Sequence, residues 1–276
     1  MSMMQSEQFK AHARLEESHW WFRGRRKILT ALLKAIAAPS RDVCVVDVGC
    51  GTGGNTHAFS QIYSCVGIDP SMEAIAFAKS RFPGIRFVAA DVFTLPEEIS
   101  TADMVLLLDV LEHVKDDFAF VSGLLSLMKP GAHLVMAAPN DPSLWGPHDK
   151  AFEHYRRYTP ERFRMLWKGL PVTERLLTCC NSRLYPLAKF IRGLTRLKGK
   201  AIGEGNTDIS LPTAPVNRLL TSVFAGERRR IVAAMDGKGA PYKTGVSVLA
   251  VLRREEGAMD VRTMPKDIRD AAPWRD

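Results

Sequence analysis

Apolar residues along this chain fall into short, nearly unbroken runs separated by longer stretches in which they recur every three or four positions. The clearest run is Val43-Cys44-Val45-Val46-Asp47-Val48, β-branched and almost continuous. That is the signature of a parallel strand buried on both faces. Comparable runs at 65–69, 86–90, 102–108, 133–138, 172–177 and 247–252 predict six further strands. Between them lie helical patterns. Ile28, Leu29, Leu32, Leu33 and Ile36 share one helix face, and Pro39-Ser40 ends that helix. Ser71 and Thr159 are N-cap residues for two more, the second with proline at its first position. A helix over 117–128 closes at Lys129-Pro130-Gly131. Strand alternating with helix predicts a doubly wound α/β domain around a mostly parallel seven-stranded sheet.

Chemistry collects where the first three strands end. The first runs into Gly49-Cys50-Gly51-Thr52-Gly53-Gly54 and then a helix from Asn55, whose free N–H groups can meet a polar ligand. Gly49, Gly51 and Gly54, with Asp69 about 20 residues on, satisfy a dinucleotide fingerprint. The same stretch also reads Asp47-x-Gly49-x-Gly51-x-Gly53, with a carboxylate at the strand end, pointing at the ligand. A carboxylate there repels a pyrophosphate but suits an amino acid's ammonium group. Asp69 and Asp91 end the second and third strands in the same way. Acids at three successive strand ends, where open α/β sheets bind ligands, predict a ligand carrying both ammonium and adenosine rather than a nicotinamide dinucleotide.

Five further segments follow in order: Gly67-Ile68-Asp69-Pro70-Ser71, Ala90-Asp91-Val92, Leu108-Asp109-Val110-Leu111-Glu112-His113-Val114, Met128-Lys129-Pro130-Gly131 and Ala138-Pro139-Asn140. With the glycine loop, these resemble the motifs of the class I S-adenosylmethionine-dependent methyltransferases, over roughly residues 43–175. The resemblance implies their Rossmann-like fold, with the seventh strand as antiparallel edge partner of the sixth, and S-adenosylmethionine as cofactor. It implies that Asp47 and the loop (Gly49, Cys50, Gly51, Gly53) hold the methionine and ribose end. Asp69, followed by Pro70, would hold the ribose hydroxyls, and Asp91 with the Val92 amide the adenine. Asp109, Val110 and His113 would line the methionine end. Met72 lies along the adenine or fills the core. In His19-Trp20-Trp21-Phe22-Arg23-Gly24-Arg25-Arg26 the aromatics either staple the first helix or cap the cofactor cleft, and position favours a site role for Trp21 or Arg25.

Methyl transfer from a sulfonium is an in-line displacement, so alignment is the main task and a base serves only a weakly acidic acceptor. His113 is a candidate base, or orients its loop. The segment 141–159 carries Trp145, His148, Asp149, Phe152, Glu153, His154, Tyr155 and Tyr158. Loops this rich in aromatic and titratable groups over a sheet's carboxyl edge form acceptor sites. His154-Tyr155-Arg156-Arg157-Tyr158-Thr159 resembles a segment of sugar-, quinone- and natural-product-modifying members, so His148, His154 and Tyr158 are expected to contact or deprotonate the acceptor.

Composition narrows the alternatives. A chain of 276 residues, 46% hydrophobic and 25% charged, can bury one sizeable core with an appendage. It has no run of about 18 apolar residues and no secretion signal at its start. Five scattered cysteines without ligand spacing fit reduced thiols in a cytoplasm, and no pattern such as HExxH implies a metal. The net charge of +8 is dispersed over separate helices, and the fourth strand ends without the Asn/Asp-Pro-Pro-aromatic motif of nucleic-acid methyltransferases. The expected partner is therefore a small, ring-bearing acceptor. A nucleic-acid methyltransferase, a non-catalytic binding module or a relative using the cofactor for other chemistry are the alternatives. The expected organisation is an N-terminal helical cap over 1–40, only partly ordered before residue 19, and a cofactor-binding core over 41–180. A helical insertion over 181–243 caps the acceptor or forms a homodimer interface. A final edge strand over 244–253 and a disordered tail over 254–276 complete it.

Overall fold

The computed structural model describes residues 13–198 and 211–271. One sheet holds seven strands: β1 (Ser40–Val48), β2 (Tyr63–Asp69), β3 (Arg86–Ala89), β4 (Met104–Leu108), β5 (His133–Pro139), β6 (Val172–Cys180) and β7 (Ser247–Arg254). Their spatial order is β3-β2-β1-β4-β5-β7-β6. β1 to β5 are parallel, and β7 is antiparallel to both of its neighbours. Strand order reverses between β1 and β4, the switch point where such sheets leave a crevice at the carboxyl side. The doubly wound, mostly parallel architecture is the expected one.

The period of two along each strand divides the core into two layers. Val46, Val105, Leu107, Leu134 and Met136 pack on one side with Phe118, Val121, Leu124 and Leu125 of a helix at Asp117–Leu127. Val45, Met104, Leu106, Val135 and Ala137 face the other, against Ile28, Leu29, Leu32 and Leu33 of the first long helix, α1 (Trp20–Ile36). Val45 to Val48 of β1 and all of β4 are buried on both faces, as their apolar runs predict.

Three expectations are corrected. First, β7 is not an edge strand: it lies between β5 and β6, with the edge taken by β6. The reason is in the residues. Ser247 to Leu252 are buried on both faces, whereas β6 opens with exposed Thr173, Glu174 and Arg175, suited to a solvated edge. Second, the insertion is not one cap. Its helices at Ala214–Ala225 and Arg228–Met235 pack beneath the sheet on α1, where Phe224 and Ile231 are buried. Asn217 accepts the Trp20 N–H at 2.7 Å and donates to the Ser18 carbonyl at 2.7 Å, and a Cβ on Gly24 would come within 2.6 Å of Phe224. Among the described residues of the insertion, it is the helix Tyr185–Lys198 that reaches the 140–159 loop, through Tyr185 Oη to Asp141 at 2.6 Å. Residues 199–210, within that insertion, fall outside the described residues.

Third, residues 255–268 dock rather than remain disordered. Met264 is buried in the larger core layer, the Arg262 N–H donates to Ser122 Oγ at 2.8 Å, and the Met264 N–H donates to Asp116 Oδ1 at 3.0 Å. Two methionines and Ile268, spaced along a charged segment, supply the anchors that composition alone conceals. At the other end, residues 13–18 are helical and buried at Glu16. Among the described residues no helix is long and apolar enough to cross a membrane, and all five cysteines are unpaired thiols.

Candidate active site

The glycine loop wraps the end of β2. The N–H groups of Gly49 and Cys50 donate to the Ile68 carbonyl at 2.8 and 3.1 Å, and that of Gly51 to Asp69 Oδ2 at 2.9 Å. Two of its glycines differ in what they permit. Gly53 has φ +81°, and a Cβ there would meet Phe87 at 2.7 Å. Gly51 has φ +53° with nothing within 4 Å, so its backbone borders open space. Behind the loop stands a brace that no local pattern announces. The Thr52 hydroxyl donates to Glu16, and Arg81 joins that carboxylate at 3.1 Å and the Thr52 carbonyl at 2.8 Å. These residues are too far apart in the chain for periodicity to link them.

The three strand-end acids are not equivalent. Asp47 does not point into open space: it is 2% exposed, and its Oδ2 accepts from Thr56 at 2.6 Å. Burial pushes its pKa up to about 6, opposed by the Thr56 hydrogen bond. The expectation of a ligand-facing Asp47 is thus corrected, because the helix after the loop supplies a hydroxyl that claims the carboxylate. Asp69 is half-buried, with Oδ1 accepting from the Ser71 N–H at 2.9 Å. Asp91 is exposed and caps a short turn through the Phe93 N–H at 3.0 Å, with Val92 buried beneath it. Pro70 is exposed, and Met72 is 74% exposed, so it does not fill the core. Asp69, Pro70, Met72 and Asp91 line the same carboxyl edge.

The first two turns of α1 also reach this edge. Arg25, buried, forms an ion pair with Asp109 and stacks 4.1 Å from the Trp21 ring centroid. Asp109 has φ +58°, a left-handed backbone that costs about 1–2 kcal/mol in an L-residue. A cation–π contact and an ion pair hold Trp21 and Arg25 at the strand ends, beyond what stapling the helix needs. Val110, next in the chain, closes on Gly49, where a Cβ would meet Val110 Cγ2 at 2.5 Å.

Past Val110 the chain makes a single turn, Leu111–His113, and meets the 140–159 loop. Three imidazoles gather there. The His113 and His154 rings meet edge to face at 4.8 Å between centroids, and His148 lies 6.0 Å from His154. Asp149, fully buried, accepts from His154 Nδ1 at 3.0 Å, from Arg157 Nε at 2.8 Å and, at its other oxygen, from the Gly146 N–H at 2.9 Å. These donors outweigh burial and hold its carboxyl well below the usual carboxylate range. With Nδ1 committed to Asp149, His154 keeps Nε2 for other work. His113 and His148 are lowered to about 4, first by desolvation; for His113 the neighbouring His154 adds to it. His113 nonetheless keeps part of its ring in solvent, and it is neutral at pH 7. Burial raises Glu112 well above the usual carboxylate range. One ligand atom from each of Glu112, His113 and His154 lies within 4.8 Å of the others, a grouping that could hold a metal ion.

Tyr158 is not part of this gathering. It is wholly buried against Phe163, and its hydroxyl donates to Asp117 Oδ2 at 2.8 Å, where Arg162 also bonds. Its expected acceptor role is corrected: the tyrosine and Asp117 anchor the loop to the core. Asp149 and Arg157, which sequence reasoning left without a role, position His154. The one signal for them was charge density in an irregular loop. A basic cleft lined by Arg41, His57, Arg81 and Arg86 opens at the amino ends of β1 to β3 and belongs to neither half of the site.

A family described as a methyltransferase domain matches residues 46–136. A probable S-adenosylmethionine-dependent methyltransferase of Mycolicibacterium smegmatis is 27% identical over 127 residues, 46% of this chain and 48% of that protein. Norajmaline N-methyltransferase of Rauvolfia serpentina is 28% identical over 57% of this chain and 52% of its own. A ubiquinone biosynthesis O-methyltransferase of Rhodopseudomonas palustris is 36% identical over 100 residues, 35% of this chain and 40% of its own. The chain thus spans about half the length of the curated relatives it matches. Among solved structures, the plantazolicin methyltransferase BpumL, in complex with SAH, aligns with a TM-score of 0.53 at 13% identity over 92% of each chain. The [4+2]-cyclase SpnF aligns with a TM-score of 0.53 at 16% identity over 84% of this chain and 82% of its own. These two likenesses concern the fold.

Proposed function

We propose that this chain, whose residues 46–136 match a methyltransferase domain and whose relatives include S-adenosylmethionine-dependent methyltransferases, moves a methyl group from that cofactor to an oxygen or nitrogen of a small, ring-bearing molecule. The observation that carries the reading is a convergence at the carboxyl ends of β1 to β4. The open backbone at Gly51, the accessible carboxylates of Asp69 and Asp91, and the imidazoles of His113 and His154 all meet that edge.

The residues fit the cofactor. A Cβ at Gly51 would fill the space where a ligand can approach the backbone. Asp69, already oriented by two N–H groups, has lone pairs left for ribose hydroxyls, and exposed Met72 offers an apolar face to a base. Asp91 with Val92 meets the adenine, while Gly49, Cys50, Gly53 and Asp109 with Val110 shape the methionine end. Asp47 acts indirectly, bracing the helix after the loop through Thr56. Trp21 and Arg25 close the cleft from above and exclude water. The cofactor supplies a methyl already activated on a sulfonium, so the protein's task is alignment. His113, His148 and His154, on a loop approached by the helix Tyr185–Lys198, form the acceptor side. The relatives named as N- and O-methyltransferases support a small-molecule acceptor.

The test is transfer of label from methyl-tritiated S-adenosylmethionine to a panel of phenols, catechols, sugars and cyclic amines, with wild type beside His154→Ala and Trp21→Ala. Label should move to at least one ring-bearing acceptor, and both variants should raise KM for it or lower kcat. Transfer to tRNA or DNA but to no small molecule would overturn the acceptor class.

A further inference from the structure

We infer that Glu112, His113 and His154 form a binding site for a divalent transition-metal ion, whose open coordination positions face the acceptor. The inference rests on the acceptor site proposed above and gives that site its chemistry. Its first support is geometric. Ligand atoms from the three residues lie within 4.8 Å of one another. Bond lengths near 2.1 Å place neighbouring ligands roughly 3.4 Å apart. The triad must therefore close by up to roughly 1.4 Å. His113, exposed and carried on a single turn, is the arm with most room to shift.

The second support is independent. Glu112 is 1% exposed, and among the described residues its Oε2 has no hydrogen-bond partner. A buried carboxylate oxygen left this way is costly, and such groups are regularly found to serve a ligand. A cation seated beside it would satisfy the oxygen.

The third support is the setting of the two imidazoles. Metal-binding histidines commonly donate their other ring N–H to a carboxylate or a backbone carbonyl, which fixes the tautomer and the ring plane. Here Asp149 holds His154 through Nδ1 at 3.0 Å, and the backbone of Phe152 bonds the His113 ring. Arg157 and the Gly146 N–H hold Asp149 in turn, so the orientation is built from buried groups. Two nitrogens and one carboxylate oxygen are a borderline donor set, suited to zinc, cobalt, iron or manganese rather than to calcium or magnesium. Three protein ligands leave positions open, and a hydroxyl bound at one of them becomes a stronger acid. The arrangement therefore favours oxygen acceptors over amines.

The experiment is a cobalt(II) titration of the tag-free, chelator-stripped full chain, followed by visible absorption and calorimetry. One cobalt per chain should bind, with d–d bands of low coordination number and no thiolate charge-transfer band. Glu112→Gln and His113→Ala should each lower the affinity by about tenfold or more, and Asp149→Asn by about 10–100-fold. Circular dichroism on each variant separates lost ligands from lost fold, and exposed His113 is the substitution least able to unfold the chain. Absence of d–d bands, or an affinity unchanged in both Glu112→Gln and His113→Ala, overturns the site. Calorimetry with S-adenosylmethionine on the same samples keeps the two readings apart. Cofactor binding without cobalt binding removes the metal site alone, whereas a folded protein that binds neither removes the methyltransferase reading with it.

Discussion

The two halves of the carboxyl edge are built on opposite principles. On the β1–β3 side the backbone presents the site: a glycine turn, strand ends and short caps hold Asp69 and Asp91 through backbone N–H groups. On the β4–β5 side buried charges do so. Asp149 gathers His154, Arg157 and the Gly146 N–H, while Asp117 gathers Tyr158 and Arg162. The first design needs little long-range information and suits a ligand held mainly by shape and a few hydrogen bonds. The second fixes imidazoles in one tautomer and one plane, as chemistry on an acceptor demands. It is also brittle, since each buried ion depends on all of its partners.

That contrast is most sharply tested at Asp149. Asp149→Ala strands Arg157 in the interior and should cost about 3–5 kcal/mol in chemical denaturation. A loss below about 1 kcal/mol would show that the acceptor loop does not depend on its buried ion. Two glycines test the other half. Gly53→Ala places a Cβ against Phe87 at a left-handed φ, and overpacking plus backbone strain should destabilise by about 2–4 kcal/mol. Gly51→Ala, with open space above it, should cost only about 1 kcal/mol of stability while weakening cofactor binding tenfold or more. Equal behaviour at the two positions would contradict an open Gly51 turn.

Asp47 gives a pH signature. Its folded pKa, about 6, lies above the ordinary 3.8, so folding favours the protonated form. The penalty for ionising it is absent below pH 4, grows as pH rises and is complete above pH 6. Asp47→Asn should therefore stabilise the protein by about 1–3 kcal/mol at pH 7 and by nothing at pH 3.5, in paired denaturation curves. The smallest effect is expected at Tyr158. Removing its hydroxyl in Tyr158→Phe should cost about 1 kcal/mol, because Arg162 still satisfies Asp117. Methyl transfer should continue, and abolition in a stably folded variant would return Tyr158 to the site.

The same division explains what could be read beforehand. The strands, the glycine turn, Asp69 and Asp91 were legible because each is encoded within about ten residues, by apolar runs ending in a glycine or an acid. The loop histidines were legible as residue types but not as a constellation. His154 depends on Asp149 five positions before it and on Arg157 three after it, in a segment with no period to align them. Glu16 and Arg81 escaped notice because a contact across 65 residues leaves no local trace. Asp47 was located but misdirected, since nothing in the strand marks Thr56 as the group that claims it. The interior place of β7, by contrast, was present in its unbroken run from Ser247 to Leu252. Family expectation placed it at the edge where hydrophobic pattern placed it inside.

The account stands or falls on whether the backbone-built half holds the cofactor. Isothermal calorimetry of S-adenosylmethionine with wild type, Asp69→Asn and Asp149→Asn tests this directly. The account predicts micromolar binding by wild type and a loss of about 1.5–3 kcal/mol in Asp69→Asn with stability nearly unchanged. It predicts the converse for Asp149→Asn, which should keep its cofactor affinity and lose stability. No binding by the intact, folded protein, or equal affinity in wild type and Asp69→Asn, would contradict it.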